Sequence, residues 1–276
     1  MTTRSDAEPR SKGLLTPERT MPGLGDAPVT ITRRAPGEAA AAFVRHYWMP
    51  RWQLPADGSL RQDVLEYPTA NLVVEADSAA LYRAQRGLTS RTLEGSGWAF
   101  GVLLNSGVAR GWAGASVRTL PSALPVDRLP LAGTAGMVAA VRDRMAQGEE
   151  SGAVDAFESW LSGLSEPDDD ARLVDRIVAE VEGDRSLLRV EQLAERFGLG
   201  IRHLQRLVAG HIGFGPKWLI QRYRLQEAAA ALRSAEPPPL AALAAELGYA
   251  DQAHFSREFV AVIGSTPGGY AGMGRS

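Results

Sequence analysis

The chain has no cysteine in its 276 residues, which excludes disulfides, thiolate metal sites and cysteine nucleophiles together. It has only four histidines, His46, His203, His211 and His254, and none stands at a zinc-ligand spacing beside a carboxylate motif. No metal and no cofactor is therefore expected. No apolar run approaches the ~20 residues that a membrane-crossing helix needs. The first 28 residues are polar and rich in Pro, Gly and Arg, without the hydrophobic stretch of a signal peptide. A cytoplasmic protein with no membrane partner is expected. Ser96, between Gly95 and Gly97, lacks the flanking pattern of a nucleophile elbow and has only His46 within its region. No catalytic residue is assigned, and an enzyme is not expected.

What the chain does have is an internal repeat. LAERFGLGIRHLQRLVAGHIGFGP from Leu193 and LAAELGYADQAHFSREFVAVIGSTP from Leu243 are offset by 50 to 51 residues. Leu193, Ala194 and Gly198 answer Leu243, Ala244 and Gly248. After a one-residue insertion, Leu204, Arg206, Ile212, Gly213 and Pro216 answer Phe255, Arg257, Ile263, Gly264 and Pro267. Each copy reads as a short amphipathic helix, a Gly-containing turn and a second amphipathic helix ending near Gly and Pro, the layout of a helix-turn-helix. Between them, Trp218 to Arg233 reads as one helix, long enough to act as a rigid spacer of roughly 24 Å.

At 100° per residue the second helix of each copy has one face for a core and one for solvent. In the first copy Leu204, Leu207, Val208 and His211 fall inward, while Arg202, Gln205 and Arg206 fall outward with His203 at the rim. Arg can bridge guanine O6 and N7, and Gln adenine N6 and N7, so this face suits base readout. In the second copy Phe255, Phe259 and Val262 fall inward. Its outer face carries Arg257, Ser256, Ala253 and Val260, with Gln252 and His254 at the helix start. Charge supports DNA contact only mildly: residues 1–170 hold 17 basic and 21 acidic side chains, and residues 171–276 hold 13 and 11.

Upstream, QDVLEYPT, NLVVEA, AALYRA, WAFGVLLNS and SVRTL are short β-prone runs between 29 and 131, preceded by a helix predicted around Glu38 to Trp48. Two helices follow, through Met137, Val138, Val141 and Met145 and then Val154, Phe157, Trp160 and Leu161. The acidic cluster at Glu166 to Asp170 reads as a solvated boundary. The whole is expected to be an α+β chain: a disordered tail at 1–28, a β-rich, barrel-like N-terminal sensor or dimerisation domain with helices at 29–165, a linker at 166–171, and an all-α unit at 172–276.

At HLQRL, RLQEAAAAL, ELGYADQAHFSREF and IGSTPGGY the sequence resembles the AraC family of bacterial transcription regulators, over about Arg172 to Tyr270. The resemblance implies a seven-helix unit with two helix-turn-helix modules joined by a long helix. It places base contacts at Arg202, His203, Gln205 and Arg206, then Gln252, His254, Ser256 and Arg257. Three departures stand out. Gly200 replaces the usual Ser at the start of the first contact helix, Asp251 is left as the cap of the second, and Val260 to Ile263 stand where basic residues are usual.

The segments VRHYWMPRW, LEYPTANLVVE and WAFGVLLNSG are similar, more loosely, to the sensor-like domains of a poorly characterised AraC subgroup. They imply a β-rich pocket for an unknown small-molecule effector, with Trp48, Trp52, Tyr67, Tyr82, Trp98 and Trp112 as candidate lining. Arg51, Arg61 and Arg83 are candidates for an anionic group on it. The expected partners are double-stranded DNA, the effector, a second copy through the helix at Val154 to Leu164, and RNA polymerase. The alternative function is a sequestering or scaffold protein on the same fold, without DNA binding.

Overall fold

The computed structural model describes residues 29–64, 67–234 and 236–273. The expected tail at 1–28, and Leu65 and Glu66 of the QDVLEYPT run, lie outside the described residues.

The N-terminal half is built from eight strands: β1 (Val29–Arg34), β2 (Val44–Gln53), β3 (Ser59–Val64), β4 (Asn71–Glu75), β5 (Ala79–Tyr82), β6 (Thr89–Glu94), β7 (Ser96–Leu104) and β8 (Ala123–Pro125). Six form an antiparallel sheet in the order β1-β2-β7-β4-β5-β8, and β3 pairs with β6 as a separate two-stranded ribbon. The sheet ends at β1 and β8, so the barrel-like expectation is corrected to an open sheet with a ribbon beside it.

Strand alternation splits the sheet's side chains between two faces. Tyr47, Met49, Leu72, Val74, Phe100 and Val102 point to one face. There they form a core with α2 (Thr134–Ala146) and α3 (Glu150–Leu161), through Met137, Val141, Met145 and Phe157. Phe157 packs 5.9 Å from the rings of both Tyr47 and Phe100. The apolar positions of α3, Ala153, Val154, Phe157 and Leu161, all turn into this core. The helix expected to seat a second copy thus keeps its apolar side for its own sheet.

Two local expectations are overturned. The predicted helix around Glu38 to Trp48 is a turn running into β2. Ala41, Val44, Arg45 and Trp48 stand at helical spacing, but the strand is covered on both faces, so apolar residues occupy inner and outer positions alike and the period of two is masked. A bulge between Val44 and His46 shifts its register against β7. SVRTL is not a strand either: Val117–Thr119 is a turn of 3-10 helix after α1 (Val108–Ala113). Only Val117 of that turn is buried.

The C-terminal half is helical: α4 (Asp169–Gly183), α5 (Val190–Arg196), α6 (Ile201–Ile212), α7 (Pro216–Leu232), α8 (Leu240–Glu246), α9 (Gln252–Ile263) and α10 (Pro267–Met273). The acidic cluster starts α4: Asp168 accepts the Ala171 N–H at 2.8 Å, and Asp169 and Asp170 sit in the first turn, where the helix dipole favours negative charge. The helix pairs α5–α6 and α8–α9 are the two copies of the repeat. Their turns match in backbone as well as in sequence, with Gly198 at φ +62° and Gly248 at φ +77°, a left-handed conformation that side-chain-bearing residues rarely adopt.

Helix α7 belongs to both modules. Leu219, Ile220 and Tyr223 enter a core with Val174, Ile177, Leu204 and Val208, while Leu225, Ala228, Ala229 and Leu232 enter a second with Leu243, Phe255, Phe259 and Ile263. Five consecutive residues, Arg222 to Gln226, are buried, so α7 is enclosed on all sides at its middle. Arg224 Nη2 donates to the carbonyls of Val181 and Asp184 at 2.7 and 3.0 Å, satisfying acceptors at the end of α4.

The halves meet at named contacts. Arg45 pairs with Glu182 at 2.6 Å, and the Gly107 N–H at the start of α1 donates to Asp175 at 2.9 Å. Burial raises the Asp175 pKa to about 6, against hydrogen bonds from Gly107 and Ser106 that pull it down.

Candidate nucleic-acid interface and ligand cavity

Packing decides which residues of α6 and α9 face out. On α6, Leu204, Leu207, Val208 and Ile212 are buried, and His211 is held by Nδ1 against the Leu207 carbonyl at 2.9 Å. Arg202, Gln205 and Arg206 are exposed and His203 is half-buried, with Arg206 Nη2 3.1 Å from His203 Nδ1. Arg202 and Gln205 form no hydrogen bond or ion pair among the described residues. Gly200 starts the helix in extended backbone without a side-chain cap.

On α9, Phe255, Phe259 and Ile263 are buried, and Gln252 and Arg257 are exposed. Asp251 caps the helix, accepting the His254 N–H at 2.7 Å. His254 is turned partly inward, with Nε2 3.5 Å from Glu258 and its ring edge-on to Tyr249. Glu258 in turn accepts from Gln221 of α7 at 3.1 Å. Ser256 is half-buried, and Val260 is 40% exposed. The α6 surface therefore offers two guanidiniums and an amide. The α9 surface offers Arg257 and Gln252 beside apolar Val260, while His254 joins a network reaching the connecting helix.

The second site is a cavity of about 680 Å3 between the ribbon and the sheet face opposite the core, within the ~300–1,000 Å3 typical of small-molecule sites. Once β2 is read as a strand, its outward positions are His46, Trp48, Pro50 and Trp52, and all four line the cavity. The Trp48 indole lies over Gly101 and that of Trp52 over Gly97, where any Cβ would collide with the ring. Their N–H groups donate to Asn71 Oδ1 at 3.2 Å and to the Glu94 carbonyl at 3.1 Å. Tyr67 and Tyr82 also line the space. Trp98 and Trp112 do not: Trp98 packs against the opposite, helix-covered core and Trp112 is buried within it.

Of the candidate arginines, Arg51 points to the helix face, bonding Glu150 and the Met145 carbonyl, and Arg61 donates to Ser90 on the exposed ribbon. Arg83 borders the cavity. The sequence had not singled out Arg33, His46, Arg86 and Arg91 as lining. Alternation along β1 and β2 is the signal that finds the first two.

The cavity rim reaches both helix-turn-helix modules. Arg86 stacks on Phe214 at 5.1 Å and Leu88 packs against Gly264 at the end of α9; Val117, which belongs to the helix-covered core and not to the lining, packs against Gly213 at the end of α6. Arg83 ties the rim to the stretch that follows Val117, its Nε donating to the Leu120 carbonyl at 3.0 Å and its N–H to the Ser122 carbonyl at 3.2 Å.

Two helix-turn-helix modules sharing one helix define a class of fold built around paired outward-facing helices. Residues 193–273 match the helix-turn-helix domain family, and residues 32–123 match a domain of unknown function, DUF6597. An uncharacterized HTH-type transcriptional regulator of Haemophilus influenzae is 33% identical over 90 residues, 33% of this chain and 30% of its own length. A putative AraC-like transcription regulator of Streptomyces antibioticus is 30% identical over 119 residues, 43% of this chain and 37% of its own. The matched region thus spans about a third of the length of these curated relatives. Residues 193–273 are thus a helix-turn-helix domain, and the chain is similar in part to an AraC-like regulator. Among solved structures, ToxT of Vibrio cholerae aligns over 89% of this chain and 97% of its own at 13% identity and a TM-score of 0.39.

Proposed function

We propose that the chain is a sequence-specific DNA-binding transcription regulator, with α6 and α9 as its reading helices and a small molecule in the sheet–ribbon cavity as its effector. The observation that carries this is the pair of modules, each with its hydrophobic side locked in a core and Arg, Gln or Ser side chains on the open side. Arg202, Gln205 and Arg206, then Gln252, Ser256 and Arg257, are the base or phosphate contacts. His203 and His254 act more as neighbours that position Arg206 and Glu258. A second copy of the chain and RNA polymerase are the protein partners such a regulator would take.

Effector control rests on the cavity rim. The segment from Arg83 to Leu88 borders the cavity and touches Gly264 after α9 and Phe214 between α6 and α7, and the turn at Val117 touches Gly213 at the end of α6. A ligand that moves Arg83 acts on both contacts at once and so on the placement of the paired modules, as one unit, against the N-terminal half. A ligand can shift such an equilibrium only by its differential affinity for the two arrangements.

The test is binding to DNA from the chain's own gene neighbourhood, titrated over salt. Affinity should fall steeply as salt rises, because each neutralised phosphate releases a counterion. No shift of any such fragment at low salt would leave the scaffold reading in its place. For the effector, a metabolite screen by thermal shift should raise the melting temperature in step with ligand excess over Kd. The same compound should change operator affinity.

A further inference from the structure

We propose that the cavity takes a flat, largely apolar molecule bearing a single anionic group, with the charge held by Arg33 beside the imidazole of His46. This rests on reading the cavity as the effector site and specifies what that site binds.

Most cationic side chains around the cavity already have partners. Arg91 pairs with Glu75 at 2.9 Å, Arg83 bonds two backbone carbonyls, and Arg86 lies over Phe214. Arg33, half-buried on β1, forms no hydrogen bond or ion pair among the described residues. Among the described lining residues, Arg33 is the guanidinium with neither a hydrogen bond, an ion pair nor a ring contact, so it is the one placed to take an anionic group. His46, 8% exposed, also forms no hydrogen bond; its ring stands edge-on to Tyr67. Burial, then the charges of Arg45 and Arg33, push its pKa down to about 4, so at neutral pH it is uncharged and can donate one N–H without taking up a proton.

Position sets the ligand's direction. His46 pairs across β7 with Leu103, which pairs with Asn71 at the start of β4. Among the described lining residues the acidic one is Glu75, at the other end of β4, four residues on, or ~13 Å along the strand from Asn71 at ~3.3 Å per residue. Between these ends the surface is Ile31, Val73 and Leu103 with the rings of Trp48 and Trp52. Both indole N–H groups are already committed, so the rings offer only apolar surface. Arg33 pairs with Trp48 and lies three strands from β4, about 14 Å across the sheet at ~4.8 Å per strand, so an anion beside Arg33 and His46 is kept far from Glu75, and its apolar body runs along the tryptophans.

The probes are anilinonaphthalene sulfonate and phenylnaphthylamine, which share a ring system and differ by the sulfonate, titrated by fluorescence against the full chain. The wild type should bind the sulfonate at least about tenfold tighter than the neutral probe, equivalent to ~1.4 kcal/mol. Arg33→Met should remove that preference by weakening the sulfonate alone, and Arg33→Lys should restore most of it. Val73→Phe, which fills the floor, should weaken both probes, with thermal melts establishing that each variant is folded. Equal affinity for the two probes in the wild type, or a sulfonate affinity unmoved by Arg33→Met, overturns the anion assignment and leaves the effector site standing. If Val73→Phe moves neither probe, both bind elsewhere, and the cavity reading falls with the inference.

Discussion

The two helix-turn-helix modules share a backbone and differ in almost everything that faces solvent. Both turn at a left-handed glycine, both end their second helix at another, and both pack that helix through three or four apolar residues. At the inward positions Leu204 is answered by Phe255 and Ile212 by Ile263, while Leu207 is answered by the half-buried Glu258 and His211 by Val262. The outward residues went from Arg202, Gln205 and Arg206 to Ala253, Ser256 and Arg257. Even the helix starts are solved differently, by bare Gly200 and by the carboxylate of Asp251. The centre of each core keeps its apolar character, while the edge and the surface are free to diverge. The contrast teaches that the modules are equal as folding units and unequal in what they present to solvent.

The sharpest way to break that contrast is by paired substitution on one operator. Arg206→Ala should cost ~1–3 kcal/mol, or roughly 5- to 150-fold in specific affinity. His254→Ala should cost less than about threefold, because its ring is engaged by Glu258 and Tyr249. Equal losses in an electrophoretic or anisotropy titration would end the claim that the first module does most of the reading.

The modules also differ in how they hold the N-terminal half. The first module shares its core with α4, which holds the N-terminal half through Arg45 to Glu182 and Gly107 to Asp175; the second meets Leu88 through apolar packing. The α4 contact is the one that should couple to pH. Asp175 binds its proton more tightly folded, with a pKa of about 6, than at its ordinary 3.8. Its contribution is full below pH ~4 and is lost as pH rises through ~6. Asp175→Asn keeps an oxygen to accept the Gly107 N–H and should lack that loss. The difference in melting temperature between variant and wild type should thus climb from pH 4 to 7 and then level off. A flat difference would sever the link between this carboxyl and the domain contact.

Smaller effects probe the helix starts. Asp251→Ala should cost ~1 kcal/mol of stability in a denaturant titration, through loss of the cap to the His254 N–H. Gly200→Ser, where an added Cβ meets nothing within 4 Å, should gain only a few tenths of a kcal/mol, since Gly is itself a fair cap. Should the two changes match in size, the starts of the two helices would be energetically alike despite their different chemistry.

Legibility in the sequence followed the same divide. The C-terminal half could be read closely because its helices each bury one side, so that Leu204, Leu207 and Val208 recur at helical spacing opposite arginines. The connecting helix was expected at Trp218 to Arg233 and runs Pro216–Leu232. The N-terminal sheet is harder to read because both its faces are covered: β2 carries apolar residues at inner and outer positions, which hides its period of two. β6, TSRTLE, is polar and mostly exposed, so no apolar alternation marks it. Aromatic identity pointed to the cavity only in part. Trp48 and Trp98 are alike in composition and pair with neighbouring strands, yet they stand on opposite faces, and only register separates them. The lone guanidinium of Arg33 carried no mark in the sequence, since having no partner is a property of surroundings.

One consequence of α7 concerns whatever duplex the chain reads. Because a single helix supplies wall residues to both cores and is enclosed at Arg222 to Gln226, the modules cannot swivel independently without unpacking one core. Adding one base pair between two half-sites moves them ~3.4 Å apart and rotates one about the axis by roughly 35°. A flexible tether would absorb that error. Here an operator would keep its internal spacing fixed while its individual bases drift, so that the length between half-sites is the more stringent part of the message.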